Sequence, residues 1–252
     1  VSRLHRIFII ALRRGRRHGV AARYLEIFSV LAKYGFAEFV SHRPVLRRAV
    51  RRITPRRPAS SRLIRQSFGE RLRHALVELG PTFIKFGQIL SDRKDLLPLA
   101  VIREMEKLQD KVPPFPTETA RDLVEENLGK SIDEAFIYFN DEPEAAASLA
   151  QVHRAILPTG QTVAVKIKRP GIDSQVEADI QIMHQLANFV DNNTDYFQVI
   201  KAVEIVEEFE RQMMRELDFV EEFLAVKKFR ADYERDKTVY VPRVYSEYTT
   251  RD

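Results

Sequence analysis

The sequence predicts an α+β fold in which one small antiparallel sheet interrupts a mostly helical chain. Two observations carry that expectation. Between Ala135 and Lys168, short runs rich in β-branched and aromatic residues, AFIYF and TVAVKIK, are separated by the turn-forming stretches NDEPE and LPTGQ. On either side, apolar residues return every three or four positions, as helices that bury one face require. At 252 residues with 44% apolar composition, the chain can build one large domain or two smaller ones.

Charge divides the chain. Residues 1–73 hold 19 Lys+Arg against 3 Asp+Glu, a formal +16, while the remainder holds 22 against 33, a formal −11, so the net +5 hides a basic arm ahead of an acidic body. Such an arm suits an anionic partner, phospholipid headgroups or nucleic acid, or is simply a solvated face. Cysteine is absent, which excludes disulfides and thiolate metal sites, and six scattered histidines suggest no metal site. The apolar run IFIIAL near the start is far short of the roughly 20 residues of a membrane span, and no signal-peptide cleavage pattern follows it.

Taken in order, the apolar positions Tyr24, Ile27, Phe28, Leu31, Tyr34 and Phe39 predict an amphipathic helix within Val20 to Val40. RRAVRRITPRRPASSR, from Arg47 to Arg62, reads as a charged connector and a boundary. A helix returns near Phe68 with Leu72, Leu76 and Leu79 on one face, and Gly80-Pro81 closes it and opens the next. In TFIKFGQILSDR, Lys85, Gln88 and Asp92 form a narrow polar stripe, which periodicity alone reads as the wet side. VPPFP is a rigid extended break, and a short helix over Leu123 to Leu128 should end at Gly129. Val203, Val206, Phe209, Met213, Leu217, Val220 and Leu224 mark a core-facing helical stripe, broken where Asp218, with Glu221 three residues on, resembles a helix N-cap. VYVPRVYSEY reads as one or two further strands.

The sheet region carries the chemistry. Protein kinases cradle nucleotide phosphates with GxGxxGxV and hold them with the lysine of VAIK. In AAASLAQV, Ala145, Ala147 and Ala150 stand at the three glycine positions and Val152 at the valine, and the lysine of VAVK, Lys166, follows fourteen residues later. A two-residue period sends Val163 and Val165 to one face of their strand, and Ala164 and Lys166 to the other. A lysine beside a small alanine suits a slot for a flat base and its phosphates. Alanine's methyl hinders positive φ and close approach to phosphate, so this loop should be stiffer than a glycine loop, with an altered fit.

Taken together, LGPTFIKFGQILSDRKDLLP, LQDKVPP, AAASLAQVHRA, VAVKIKRPGI and ELDFVEE resemble, in this order, the UbiB-like atypical kinases of ubiquinone biosynthesis. The resemblance covers the chain from about Phe68 onward. It implies a protein-kinase-like N-terminal lobe over residues 130–252, a helical KxGQ extension over 67–129 and a basic, amphipathic arm and connector over 1–66. It implies a nucleotide site of Ala145, Ala146, Ala147, Ser148, Ala150, Val152, Ala164 and Lys166, which would bind ATP or ADP with Mg²⁺. Lys166 would pair with Glu222, or with its rival Glu216. Lys166, Glu222 and Glu216 would be its catalytic residues, and Lys85 and Gln88 of the KxGQ motif, with Asp218, which shares the family's ExD motif with Glu216, would regulate the site. In that role, Lys85 would be turned inward onto Glu216 and Asp218, because an unpaired buried ammonium is very costly.

Kinase-like chemistry also needs a catalytic-loop aspartate and metal ligands, and no HxD or DFG equivalent stands in these residues. The resemblance therefore implies that the chain is the N-terminal part of a longer protein, with a C-terminal lobe and metal ligands beyond residue 252. It further implies ATPase or small-molecule phosphotransfer activity at the cytoplasmic face of a bacterial inner membrane, or at a mitochondrial inner membrane or plastid in a eukaryote, with this part peripheral. Expected partners are an adenine nucleotide, anionic lipids, and quinone-biosynthesis enzymes or lipid intermediates. Nucleic acid is not expected, since no recognised motif accompanies the arm. The competing reading is a non-catalytic membrane adaptor that keeps the nucleotide-binding lobe.

Overall fold

The computed structural model describes residues 15–36, 66–109, 112–193 and 201–251, with only the backbone described for 15–21 and 193. The connector expected at Arg47 to Arg62 lies outside them. Compactness groups the chain into one unit of residues 1–110 and 174–207 and another of 111–173 and 208–252. Each draws on two separate segments.

The first unit is helical. Its helices are α1 (Gly15–Lys33), α2 (Phe68–Leu79), α3 (Pro81–Asp92), α4 (Leu99–Met105) and most of α7 (Ile172–Asn193). Helix α1 ends seven residues before the expected Val40, in a turn at Tyr34 and Gly35 closed by Phe36 N–H to the Leu31 carbonyl at 2.8 Å. Phe39 lies outside the described residues, but Ile27 and Phe28 are buried, and Phe28 packs with Tyr24, Ala32 and Leu186. A capping box starts α2: the Ser67 hydroxyl accepts the Glu70 N–H at 3.2 Å and the Glu70 carboxylate accepts the Ser67 N–H at 2.7 Å.

Two contacts fix how these helices meet. Gly87 of KFGQ faces Leu76 and Leu108, and a Cβ there would fall 2.3 Å from Leu108 Cδ1 and 2.7 Å from Leu76 Cδ1, so glycine allows the close approach. Arg23 donates to both oxygens of Asp179 at 2.6 and 3.0 Å, to the Leu79 carbonyl at 2.7 Å and to Glu26 at 2.9 Å, joining α1, α2 and α7. Burial works against the Arg23 charge, but hydrogen bonding and attraction to Asp179, then Glu26, outweigh it and raise its pKa.

The second unit holds the sheet. Its elements are α5 (Thr117–Leu128), α6 (Ile132–Ala135), β1 (Tyr138–Phe139), β2 (Ala145–Ala146), β3 (Ala150–Ile156), β4 (Thr162–Lys168), most of α8 (Ala202–Leu217), and α9 (Phe219–Asp232). β3 is central and antiparallel to all three others: β1 and β2 follow one another along one edge, and β4 pairs the other from Ala150↔Lys168 to Ile156↔Thr162. One face of this sheet packs Ala155 and Ile167 against Val124, Ile132, Phe136 and Phe139. Helix α5 begins earlier than expected, at Thr117, and ends as expected at Gly129, whose φ of 64° is the left-handed geometry glycine adopts at no steric cost.

Three expectations are corrected. AFIYF is strand only at Tyr138–Phe139, because Ser131 and Glu134 form a capping box that keeps Ala135 helical. VYVPRVYSEY forms no strand: Pro242 has no N–H to give a ladder, no described strand pairs with the segment, and it closes in a 3₁₀ turn, Ser246–Tyr248. Tyr248 instead anchors it, its ring tilted against Phe136 with centres 5.6 Å apart and its hydroxyl donating to the Ala135 carbonyl at 3.2 Å. The helical stripe is buried at Val206, Phe209, Met213 and Leu217, but Val220 and Leu224 are exposed because the break at Asp218 resets its phase.

Replacing Arg23 by Ala leaves the fully buried Asp179 carboxylate without its bidentate partner, a change expected to cost about 3–5 kcal/mol. Urea unfolding of the variant measures it; a loss under about 1 kcal/mol, the range of surface pairs, would show that the pair does not hold these helices.

Candidate functional site

Directly opposed residues of an antiparallel pair share a face, so the register assigns the candidate residues to sides of the sheet. Ala145, Val152 and Lys166 form one row, Ala150 and Lys168 the next, and Arg154 and Ala164 the row beyond Lys166. Ala146, opposite Gln151, belongs to the other face with Ile167. Ala147 and Ser148 lie in the turn, Ser148 being almost wholly buried. No non-glycine residue among those described has positive φ, so the alanine turn reverses the chain without the left-handed conformation that glycine would favour.

Over the Lys166 face lies the start of α9. Asp218 stands between α8 and α9 with extended backbone, and its Oδ1 accepts the N–H groups of Val220 at 3.0 Å and Glu221 at 3.4 Å. The break puts Phe219 in the first position of the new helix and Glu222 one turn along. Lys166 Nζ donates to Glu222 Oε2 at 2.5 Å and lies 4.5 Å from the centre of the Phe219 ring. Lys168, nearly buried, sits 5.6 Å from the same ring and 3.3 Å from Asp173.

The side chains of Lys166 and Glu222 are 41% and 51% exposed. A pair this wet contributes at most about 1 kcal/mol to stability. A cleft of about 1090 Å³ adjoins it, with Ala164, Lys166, Phe219, Glu222, Val226 and Tyr240 in its lining. Among the described residues no group of three or more His, Asp or Glu could hold a metal ion.

Elsewhere, Glu216 is exposed near the end of α8, and the structure brings Glu222 rather than Glu216 to Lys166. Lys85 and Gln88 lie half-buried in α3 of the first unit, where Gln88 donates to the Leu108 carbonyl at 3.3 Å.

Sequence reasoning missed a buried polar group on the reverse face. Gln151 and His153 are both fully buried. Gln151 Oε1 accepts the Phe115 N–H at 3.0 Å, and its Nε2 lies 3.4 Å from the Phe115 carbonyl and 2.8 Å from His153 Nε2. His153 Nδ1 lies 2.7 Å from the Asn140 carbonyl, which fixes the proton on Nδ1 and leaves Nε2 as the acceptor for Gln151. The only local hint was a Gln and a His at alternate positions of a strand, where apolar residues would be expected.

The model of the ABC1 atypical kinase-like domain matches residues 107–252, which contain the whole sheet, α9 and the Lys166–Glu222 pair. The chain belongs to the ABC1 atypical kinase-like family. Within it, a Marinobacter nauticus protein named "Probable protein kinase UbiB" is 42% identical over 185 residues, 73% of this chain and 34% of that protein. An Azotobacter vinelandii protein of the same name is 38% identical over 226 residues, 88% of this chain and 42% of that protein. This ABC1-family chain thus spans roughly a third to two fifths of the length of these relatives. A solved complex of Rv3197 with erythromycin, from Mycobacterium tuberculosis, aligns over 68% of this chain and 43% of that one at 30% identity, with a TM-score of 0.47.

Asp218→Ala is expected to cost about 0.5–2 kcal/mol of stability and Asp218→Asn much less, since both native and Asn side chains cap well. Lys166→Ala should cost no more than about 1 kcal/mol. Chemical denaturation of the three variants checks the order; equal losses in all three would mean that Asp218 is not the cap that starts α9.

Proposed function

We propose that the Lys166 face of the sheet binds an adenine nucleotide, and that the chain supplies this lobe to a UbiB-like kinase or ATPase that supports ubiquinone biosynthesis at a membrane surface. The observation that carries the reading is the alignment of Ala145, Val152, Ala164 and Lys166 on one face, with Lys166 held by Glu222. A small alanine leaves room for the base, and an accessible ammonium oriented by a carboxylate can take phosphate oxygens. Glu222 acts by positioning Lys166. The relatives named "Probable protein kinase UbiB" support the assignment to that role. Regulatory roles for Lys85 and Gln88 belong to the proposal on the strength of the KFGQ match alone.

Calorimetric titration with ADP tests the nucleotide site. Binding should weaken at least about tenfold, equivalent to 1.4 kcal/mol, in Lys166→Ala and in Ala164→Leu, which fills the slot. Unchanged affinity in both would place any nucleotide elsewhere. Binding in the full-length protein with no phosphate release from ATP would instead favour the adaptor reading.

The membrane part of the proposal rests on the formal +16 of residues 1–73, because each Lys or Arg near an anionic surface contributes roughly 1 kcal/mol. No described helix is long and apolar enough to cross a membrane. Co-sedimentation with liposomes should rise with phosphatidylglycerol or cardiolipin content and fall with salt. Equal binding to neutral vesicles, or tighter binding to duplex DNA, would contradict it.

A further inference from the structure

The alanine turn is held from outside the hairpin. Arg169, just past the end of β4, gives its backbone N–H to the Leu149 carbonyl at 2.8 Å, and its guanidinium Nη2 lies 3.1 Å from the Ala147 carbonyl, so a single residue grips both sides of the turn tip. The same Nη2 lies 3.1 Å from the Pro113 carbonyl, and the guanidinium stands 5.5 Å from the centre of the Phe115 ring. Gln151, immediately after the turn, engages both the N–H and the carbonyl of Phe115. Leu149 and Ala150 are buried with Ser148 beneath this arrangement.

Two attachments therefore tie residues 113–115, in the VPPFP segment, to the surroundings of the turn: one through Gln151 at the start of β3 and one through Arg169 just past β4, which also holds the Ala147 carbonyl. In a glycine loop, flexibility lets the backbone close on phosphate. Here the methyls remove that freedom, and external hydrogen bonds set the conformation instead. We propose that residues 112–116 act as a strap which, through Arg169 and Gln151, fixes the alanine turn in its nucleotide-ready position, making Arg169 and Gln151 positioning residues for the phosphate end of the site. The inference rests on the nucleotide reading above and adds to it the device that replaces glycine. Preorganised loops bind with less ordering cost, so loosening the strap should weaken binding even though neither residue need touch the ligand.

Hydrogen exchange and ADP titration on the same samples test this in the full chain. Arg169→Gln removes the grip on the Ala147 carbonyl. Phe115→Leu removes the ring that stands against the Arg169 guanidinium, and because Phe115 is also buried in the core of this unit, exchange in α5 is followed beside it as the control for general loosening. Both variants should speed amide exchange across residues 144–152 by about tenfold or more, while exchange in α3 stays unchanged. Both should weaken ADP binding about fivefold, and Arg169→Gln should do so at least as strongly as Phe115→Leu. Unchanged exchange in both variants overturns the strap, and faster exchange with unchanged ADP affinity overturns the positioning role. Failure of the unaltered protein to bind ADP is a separate result, which removes the nucleotide reading and this role with it.

Discussion

The arrangement of the candidate site depends on one side chain capping one helix. Without a break after Leu217, residues 216, 218 and 222 would run along a continuous helix, where positions two apart point about 200° from one another. Asp218 takes up two N–H groups of the following turn and starts a helix whose first residues are Phe219 and, one turn on, Glu222. Phe219 then lies against Lys166 and Lys168, and Glu222 meets the Lys166 ammonium. A cap of ordinary strength, about 1 kcal/mol, thus stands at the break beyond which Glu222, and not Glu216, meets the lysine.

The polar groups of this chain fall into two energetic classes. Arg23 with Asp179, and Gln151 with Phe115 and His153, are withdrawn from water, so breaking either leaves desolvated partners behind and costs several times more than a surface pair. Lys166 and Glu222 remain wet and contribute little to stability. Buried networks hold the scaffold, and the Lys166–Glu222 pair stays open to water. The alanine turn lies between the two, with the buried Gln151 on one side and the partly exposed Arg169 contacts on the other.

Much of this was legible because it is local. The helix starting at Phe68, the stop at Gly129, the cap at Asp218 and the two faces of VAVK are each set by residues within four positions of one another. What was missed is long-range. Gln151 meets Phe115 across 36 positions and Arg169 meets Ala147 across 22, separations that periodicity cannot encode. VYVPRVYSEY has strand propensity, but propensity becomes a strand only when a neighbour completes the ladder, and Tyr248 packs against Phe136 instead. Val220 and Leu224 continue a helical period in the sequence that the cap at Asp218 interrupts in space.

The central claim is that Asp218 serves the site by presenting Glu222 to Lys166, and a double-mutant cycle on ADP affinity tests it most directly. Asp218→Ala, Glu222→Gln and the double variant would be compared with the unaltered chain. If the cap acts through Glu222, removing Glu222 leaves little for Asp218→Ala to lose, and the two single losses fail to add by about 0.5–3 kcal/mol. Losses that simply add would contradict the account, because they would mean that the break at Asp218 and the carboxylate on Lys166 act separately.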